Sequence, residues 1–80
     1  MSNTLEEIEL ELSKRIYKLF LKKFGDNKSE FARASNCTEG TIRRILLNKQ
    51  GITINLLLRI AKALEVEVTD LLKDLSLPVN

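Results

Sequence analysis

Apolar side chains recur every three or four residues along almost the whole chain, the spacing of one face of an α-helix. Leu5, Ile8, Leu12, Ile16 and the pair Leu19/Phe20 make the first stripe. Thr4 with Glu7 has the spacing of a capping box at its start, and Gly25 suits its end. Asn27 with Glu30 repeats that spacing and opens a short helix through Ser35, with Phe31, Ala32 and Ser35 facing inward. Thr38 caps a third helix that ends near Asn48 and turns Ile42, Ile45 and Leu46 inward. Residues 49–52, with Gly51, read as a turn. Thr53 caps a fourth helix with Leu57, Ile60, Ala61 and Leu64 on one stripe. A fifth spans about residues 68–75, with Leu71, Leu72 and Leu75 apolar and Pro78 beyond its end. Residues 65–68 alternate with period two, but they have no second strand to pair with and read as a helix–helix connection. The pattern predicts an all-α fold of five helices joined by short turns.

Composition narrows the chemistry. Eighty residues make one small domain, and 44% apolar with 30% charged residues is ordinary for a folded chain. His is absent and Cys37 is the only cysteine, which excludes an intrachain disulfide, a Cys/His zinc site and the usual general base. No nucleophile motif or phosphate loop is present either, so neither catalysis nor a metal, a cofactor or a small-molecule ligand is expected. Residues 1–12 carry four Glu and no base, the reverse of a signal peptide, and runs such as residues 56–58 are far too short to span a bilayer. A reducing cytoplasm is the simplest compartment, with no membrane partner. The formal charge of +2 hides a pattern: residues 1–12 sum to −4, residues 13–64 to +9 and residues 65–80 to −3. The middle of the chain is therefore strongly basic, as a nucleic-acid-binding surface would be.

Residues 28–72, read in order as KSEFARASNCTEGTIRRILLNKQGITINLLLRIAKALEVEVTDLL, carry a more specific signal. Phe31-Ala32, then Thr41-Ile42 with Arg44-Ile45, then Lys49, then Leu57 with Ile60-Ala61 and Ala63-Leu64 stand in register. Together they resemble the lambda-repressor-like, Cro/XRE-type helix-turn-helix DNA-binding family, over about three quarters of the chain. The resemblance implies a compact five-helix DNA-binding domain at residues 13–77, preceded by an acidic extension of the first helix at residues 1–12. Ala32 is small where two steeply crossed helices approach. Asn36 and Asn48 stand where the family usually has Gly, and Asn tolerates the left-handed conformation needed there. The family often pairs an Arg of the first helix with a Glu late in the third. The matching positions here are Phe20 and Leu46, which predicts an apolar contact in place of that ion pair.

The resemblance places the recognition helix at about residues 38–47, its N-terminal side chains in a major groove. Arg44 is the first choice for reading a base, because its fork matches guanine O6 and N7; the alternative is a solvated surface Arg. Glu39 either accepts from a cytosine amino group or simply favours the helix N-terminus with its charge. Gly40 lets a backbone approach closely, or else only weakens the first turn. Thr38 caps the helix, while Thr41 and Arg43 are placed to reach phosphate or a base edge. Lys28, where the family clamps a phosphate, and Lys49, just past the recognition helix, are the phosphate candidates; Lys22 and Lys23 are weaker ones. Cys37 reads as a buried structural thiol.

The extension at residues 1–11 adds Leu5 and Ile8, with Leu12 following, and Leu10, Tyr17, Leu21 and Phe24 mark a second apolar line on the same helix. Either the extension folds back on the last helix, around residues 66–77, or Leu5, Ile8 and Leu12 form a homodimer interface. The function expected is sequence-specific binding of double-stranded DNA by a small transcriptional regulator. The alternative on the same fold is a protein-interaction module, antitoxin-like or partner-docking.

Overall fold

Three threonine and asparagine caps set where the helices begin. In a computed structural model describing residues 5–75, the order is α1 (Leu5–Phe24), α2 (Lys28–Ala34), α3 (Glu39–Leu46), α4 (Ile54–Leu64) and α5 (Val68–Leu72). Asn27 accepts from the Glu30 N–H at 3.1 Å, Thr38 from Thr41 at 3.1 Å and Thr53 from Leu56 at 3.1 Å. Each satisfies one of the orphan donors of a helix start. At Asn27 the box is half made, because the Glu30 carboxylate turns to Arg33 instead. Thr4, the expected cap of α1, lies outside the described residues. There are no strands among the described residues; 65–67 form the connection, in which Glu65 takes φ 59° to end α4, and Val68 already opens α5.

The core is one cluster to which every helix contributes: Ile16 and Phe20 from α1, Phe31 from α2, Ile42, Ile45 and Leu46 from α3, Ile60 and Leu64 from α4, and Leu71 from α5. α1 is the spine, packing on all four other helices. Three phenylalanines join it to α2: the Phe20 and Phe31 rings lie 5.1 Å apart and the Phe24 and Phe31 rings 5.2 Å, both stacked. Phe24 thus belongs with the core rather than with the outer apolar line on which the sequence pattern puts it. Phe20 and Leu46, where the family often holds an ion pair, are both buried in this cluster.

Three expectations need correction. In α4 it is Leu56, not Leu57, that is fully buried; Leu57 is half-buried and Ala63 joins the core. The run from Ile54 to Leu58 is apolar at four of five positions, so its spacing does not reveal which side is the centre of the buried face. The last helix stops at Leu72, three residues early, and Leu72 is exposed while Leu71 is buried. Arg15 of α1 ends it by donating to the Leu71 carbonyl at 3.1 Å and to the Lys73 carbonyl, filling acceptors that a longer helix would have used. The third helix is also shorter than expected, ending at Leu46, with Asn48 at φ 56° beyond it.

Ser35 is buried as expected, yet its hydroxyl finds no hydrogen-bond partner among the described residues. An unsatisfied buried hydroxyl costs about 1–3 kcal/mol, and removing it leaves a gap of only one atom. Ser35→Ala is therefore expected to stabilise the fold by about 1 kcal/mol, read as a higher urea midpoint. A midpoint lowered by the substitution would mean that the hydroxyl is satisfied after all.

Candidate nucleic-acid interface

The α2–turn–α3 unit is built by local rules and locked by one distant side chain. Asn36 takes φ 56°, the left-handed conformation that the turn requires, and the Cys37 N–H bonds back to the Ala32 carbonyl at 3.0 Å. Ala32, 3% exposed, gives α2 and α3 their close crossing. Arg59 of α4 then donates to the carbonyls of Ser35 and Asn36, binding the turn to the body of the domain. Arg59 is itself oriented by Asn55, at 2.9 Å. Cys37 is half-buried rather than fully buried; burial raises its pKa, opposed by the nearby Arg59 charge.

On α3 the outward side chains form two linked sets. Glu39 accepts from Ser29 of α2 at 2.7 Å and pairs with Arg43 at 2.5 Å. The Ser29 hydrogen bond first, then the Arg43 charge, holds the Glu39 carboxyl below its ordinary pKa. This matches the structural role of Glu39 weighed from the sequence: an anion at a helix N-terminus, here also fastening α2 to α3. The second set runs from the cap into the loop. Thr38 Oγ1 lies 2.9 Å from Thr41 Oγ1, Arg44 Nη2 reaches Thr41 Oγ1 at 3.4 Å, and Arg44 Nε donates to Gln50 Oε1 at 2.6 Å. A Cβ on Gly40 would sit 3.5 Å from Arg44 Nη1, so the guanidinium lies over the first turn of α3. That distance is ordinary contact, so internal packing does not demand Gly at this position.

Lys28 opens α2 with its amino group 3.0 Å from Asp26 and 5.8 Å from the centre of the Phe20 ring. Lys28, Ser29, Glu39 and Arg43 face one open cleft of about 480 Å³, which also takes in Tyr17 and Leu47. The structure thus brings Lys28 together with the first turn of α3. Lys49 is exposed in the loop after α3, its N–H bonded to the Arg44 carbonyl at 2.7 Å. Lys23 is drawn away from this surface by Glu65, 3.1 Å distant. Of the extension, Leu5 is 67% exposed, whereas Ile8 and Leu12 are half-buried, and Leu12 packs against the core.

The sequence reading missed Ser29, Gln50 and Arg59. Each acts through a partner on another element or loop, and no spacing rule along the chain marks such a pair. No group of acidic, Cys or His side chains among the described residues could hold a metal ion, and no helix there is long and apolar enough to cross a membrane. Comparison with curated proteins and with solved structures gave no match. The family model of the Cro/C1-type HTH DNA-binding domain matches residues 15–75, three quarters of the sequence and the whole of the α2–turn–α3 unit with its supporting helices. The chain belongs to the Cro/C1-type helix-turn-helix DNA-binding family.

Proposed function

We propose that this protein is a small transcriptional regulator that binds double-stranded DNA sequence-specifically, with α3 in the major groove. The observation that carries this reading is the Arg44 guanidinium held over the first turn of α3, above a glycine that internal packing does not require. Arg44 reads a guanine, and Gly40 admits the DNA close to the helix. Lys28 and Lys49 take phosphates, which fix orientation without carrying sequence information. Thr41 and Arg43 border the same surface, with Glu39 as the fastener between helices and Thr38 as the cap. Lys28 exchanges its Asp26 partner for phosphate on binding, a swap of one exposed ion pair for another. Acting on DNA, and with a free thiol, the protein works in the reducing cytoplasm.

Two copies would pair through the start of α1, at the exposed Leu5 and the half-buried Ile8 and Leu12, and recognise half-sites spaced about one helical turn apart. A second reading, a partner-docking module, is favoured by the apolar groove of about 590 Å³ between α1 and the end of α3, where Leu10, Tyr17, Leu21 and Leu47 lie beside Lys14 and Lys18. Salt titration of duplex binding separates the two. DNA recognition gives an affinity that falls with salt at a slope near −0.9 per phosphate contacted. Lys28→Ala is expected to lower that slope by about 1 and to weaken all sequences alike. The same samples in the ultracentrifuge report whether two chains share one duplex. Absence of binding to any duplex at low salt would leave the docking module as the better account.

A further inference from the structure

We propose that Gln50, a loop residue outside the recognition helix, sets its base preference by fixing how Arg44 is presented. This rests on the reading of Arg44 as a base-contacting residue. An arginine on an exposed helix face samples many rotamers, and ordering them around one base edge opposes that specific contact. Here the ordering is already in place. Gln50 Oε1 accepts from Arg44 Nε at 2.6 Å, while Thr41 Oγ1 meets Nη2 at 3.4 Å.

The choice of nitrogen decides the chemistry. A guanidinium offers two coplanar donor pairs to the O6 and N7 of guanine: Nε with Nη2, or Nη1 with Nη2. With Nε taken by Gln50, only the end-on pair remains, and the Thr41 contact to Nη2 is long enough to yield to a base. Gln50 thereby selects one of two binding geometries, which fixes the position and tilt of the purine that fits.

Gln50 lies against the body of the domain. It is half-buried and lines a small cleft of about 50 Å³ with Leu12 and Ser13 of α1 and with Ile52. Beside it Ser13 donates to Asn48 Oδ1 at 3.3 Å, tying the loop to α1, and Asn48 takes the left-handed conformation that turns the chain back toward α3. The loop is thus tied to α1 at Asn48, two residues before the side chain that meets the guanidinium. Gln50 is a positioning residue, acting through Arg44. Its side-chain amide keeps both N–H donors, so the hydrogen bond to Arg44 uses only the acceptor.

The test compares the best duplex selected from a random pool with the same duplex carrying another base pair in place of the one whose preference Arg44→Ala abolishes. Gln50→Ala is expected to reduce the discrimination between the two by about tenfold, with the unfolding midpoint, the salt slope and the affinity for random duplex unchanged. Gln50→Glu keeps an acceptor for Nε and is expected to retain the discrimination while binding every duplex more weakly, because a negative charge now faces the phosphates. Combining Gln50→Ala with Arg44→Ala should add nothing to Arg44→Ala alone, since the two act as one unit. Full discrimination in Gln50→Ala, or a uniform loss across all duplexes, overturns the proposal while leaving Arg44 as the base reader. Failure of Arg44→Ala to alter any base preference overturns instead the reading on which the proposal rests.

Discussion

Phe20→Ala is expected to destabilise the domain by about 3–5 kcal/mol, the usual range for removing a buried phenylalanine. Phe20 is fully buried, stacks on Phe31, lies 6.4 Å from the Phe24 ring and carries the Lys28 amino group above its own ring. A cavity there opens at the meeting of α1 and α2 and also strips support from the cleft beside the recognition helix. An 80-residue chain without a disulfide commands a total stability of only about 4–12 kcal/mol, so this loss is a large share of the whole. Urea unfolding followed by circular dichroism gives the answer. A loss below about 1 kcal/mol would be that of a surface position and would show that α1 sits in the core in another register.

Arg44→Ala has its largest effect elsewhere. One base pair of the recognised site should lose its preference by about 1–3 kcal/mol, roughly 5- to 150-fold in relative affinity. The fold should be nearly unaffected, because Arg44 is exposed and its partners Gln50 and Thr41 return to water. Competition binding against duplexes altered one base pair at a time measures it. Weakening by the same factor on every duplex would make Arg44 a phosphate contact. The contrast with Phe20 separates the two layers of the molecule: one residue holds the helices together, the other uses the surface that they present.

The local parts of this architecture were legible in the sequence because they depend on residues three or four apart. Asn27, Thr38 and Thr53 each cap the helix expected of them, and Asn36 and Asn48 both adopt the left-handed conformation for which they stand in place of Gly. The inward faces of α2 and α3 follow from spacing alone, as does that of α1 between Ile8 and Phe20, though not at Leu5 or Phe24. What was not legible depends on contacts across the fold. Leu56 rather than Leu57 is buried because the packing of α4 picks one side of an apolar run that has no polar edge. The early end of α5 is decided by Arg15, more than fifty residues away. At the candidate interface, the sequence pattern singles out Arg44 and Glu39 but not their partners: Gln50 and Ser29 meet them only once the chain folds back.

The charge pattern fits the same division. The basic middle segment supplies α3, the start of α2 and the loop after α3, while four glutamates lie at the start of α1. Several of the bases nevertheless serve the fold: Arg15 ends α5, Arg59 holds the turn, and Lys23 pairs with the end of α4. The +9 of that segment therefore overstates what is available to phosphates, and the expected salt dependence rests on Lys28, Lys49 and the arginines of α3.

Selection of bound sequences from a random duplex pool at low salt tests most directly whether α3 reads DNA sequence. An enriched motif with a guanine at one fixed position is expected, and loss of that guanine alone when the selection is repeated with Arg44→Ala. A pool that remains random after repeated rounds would contradict it.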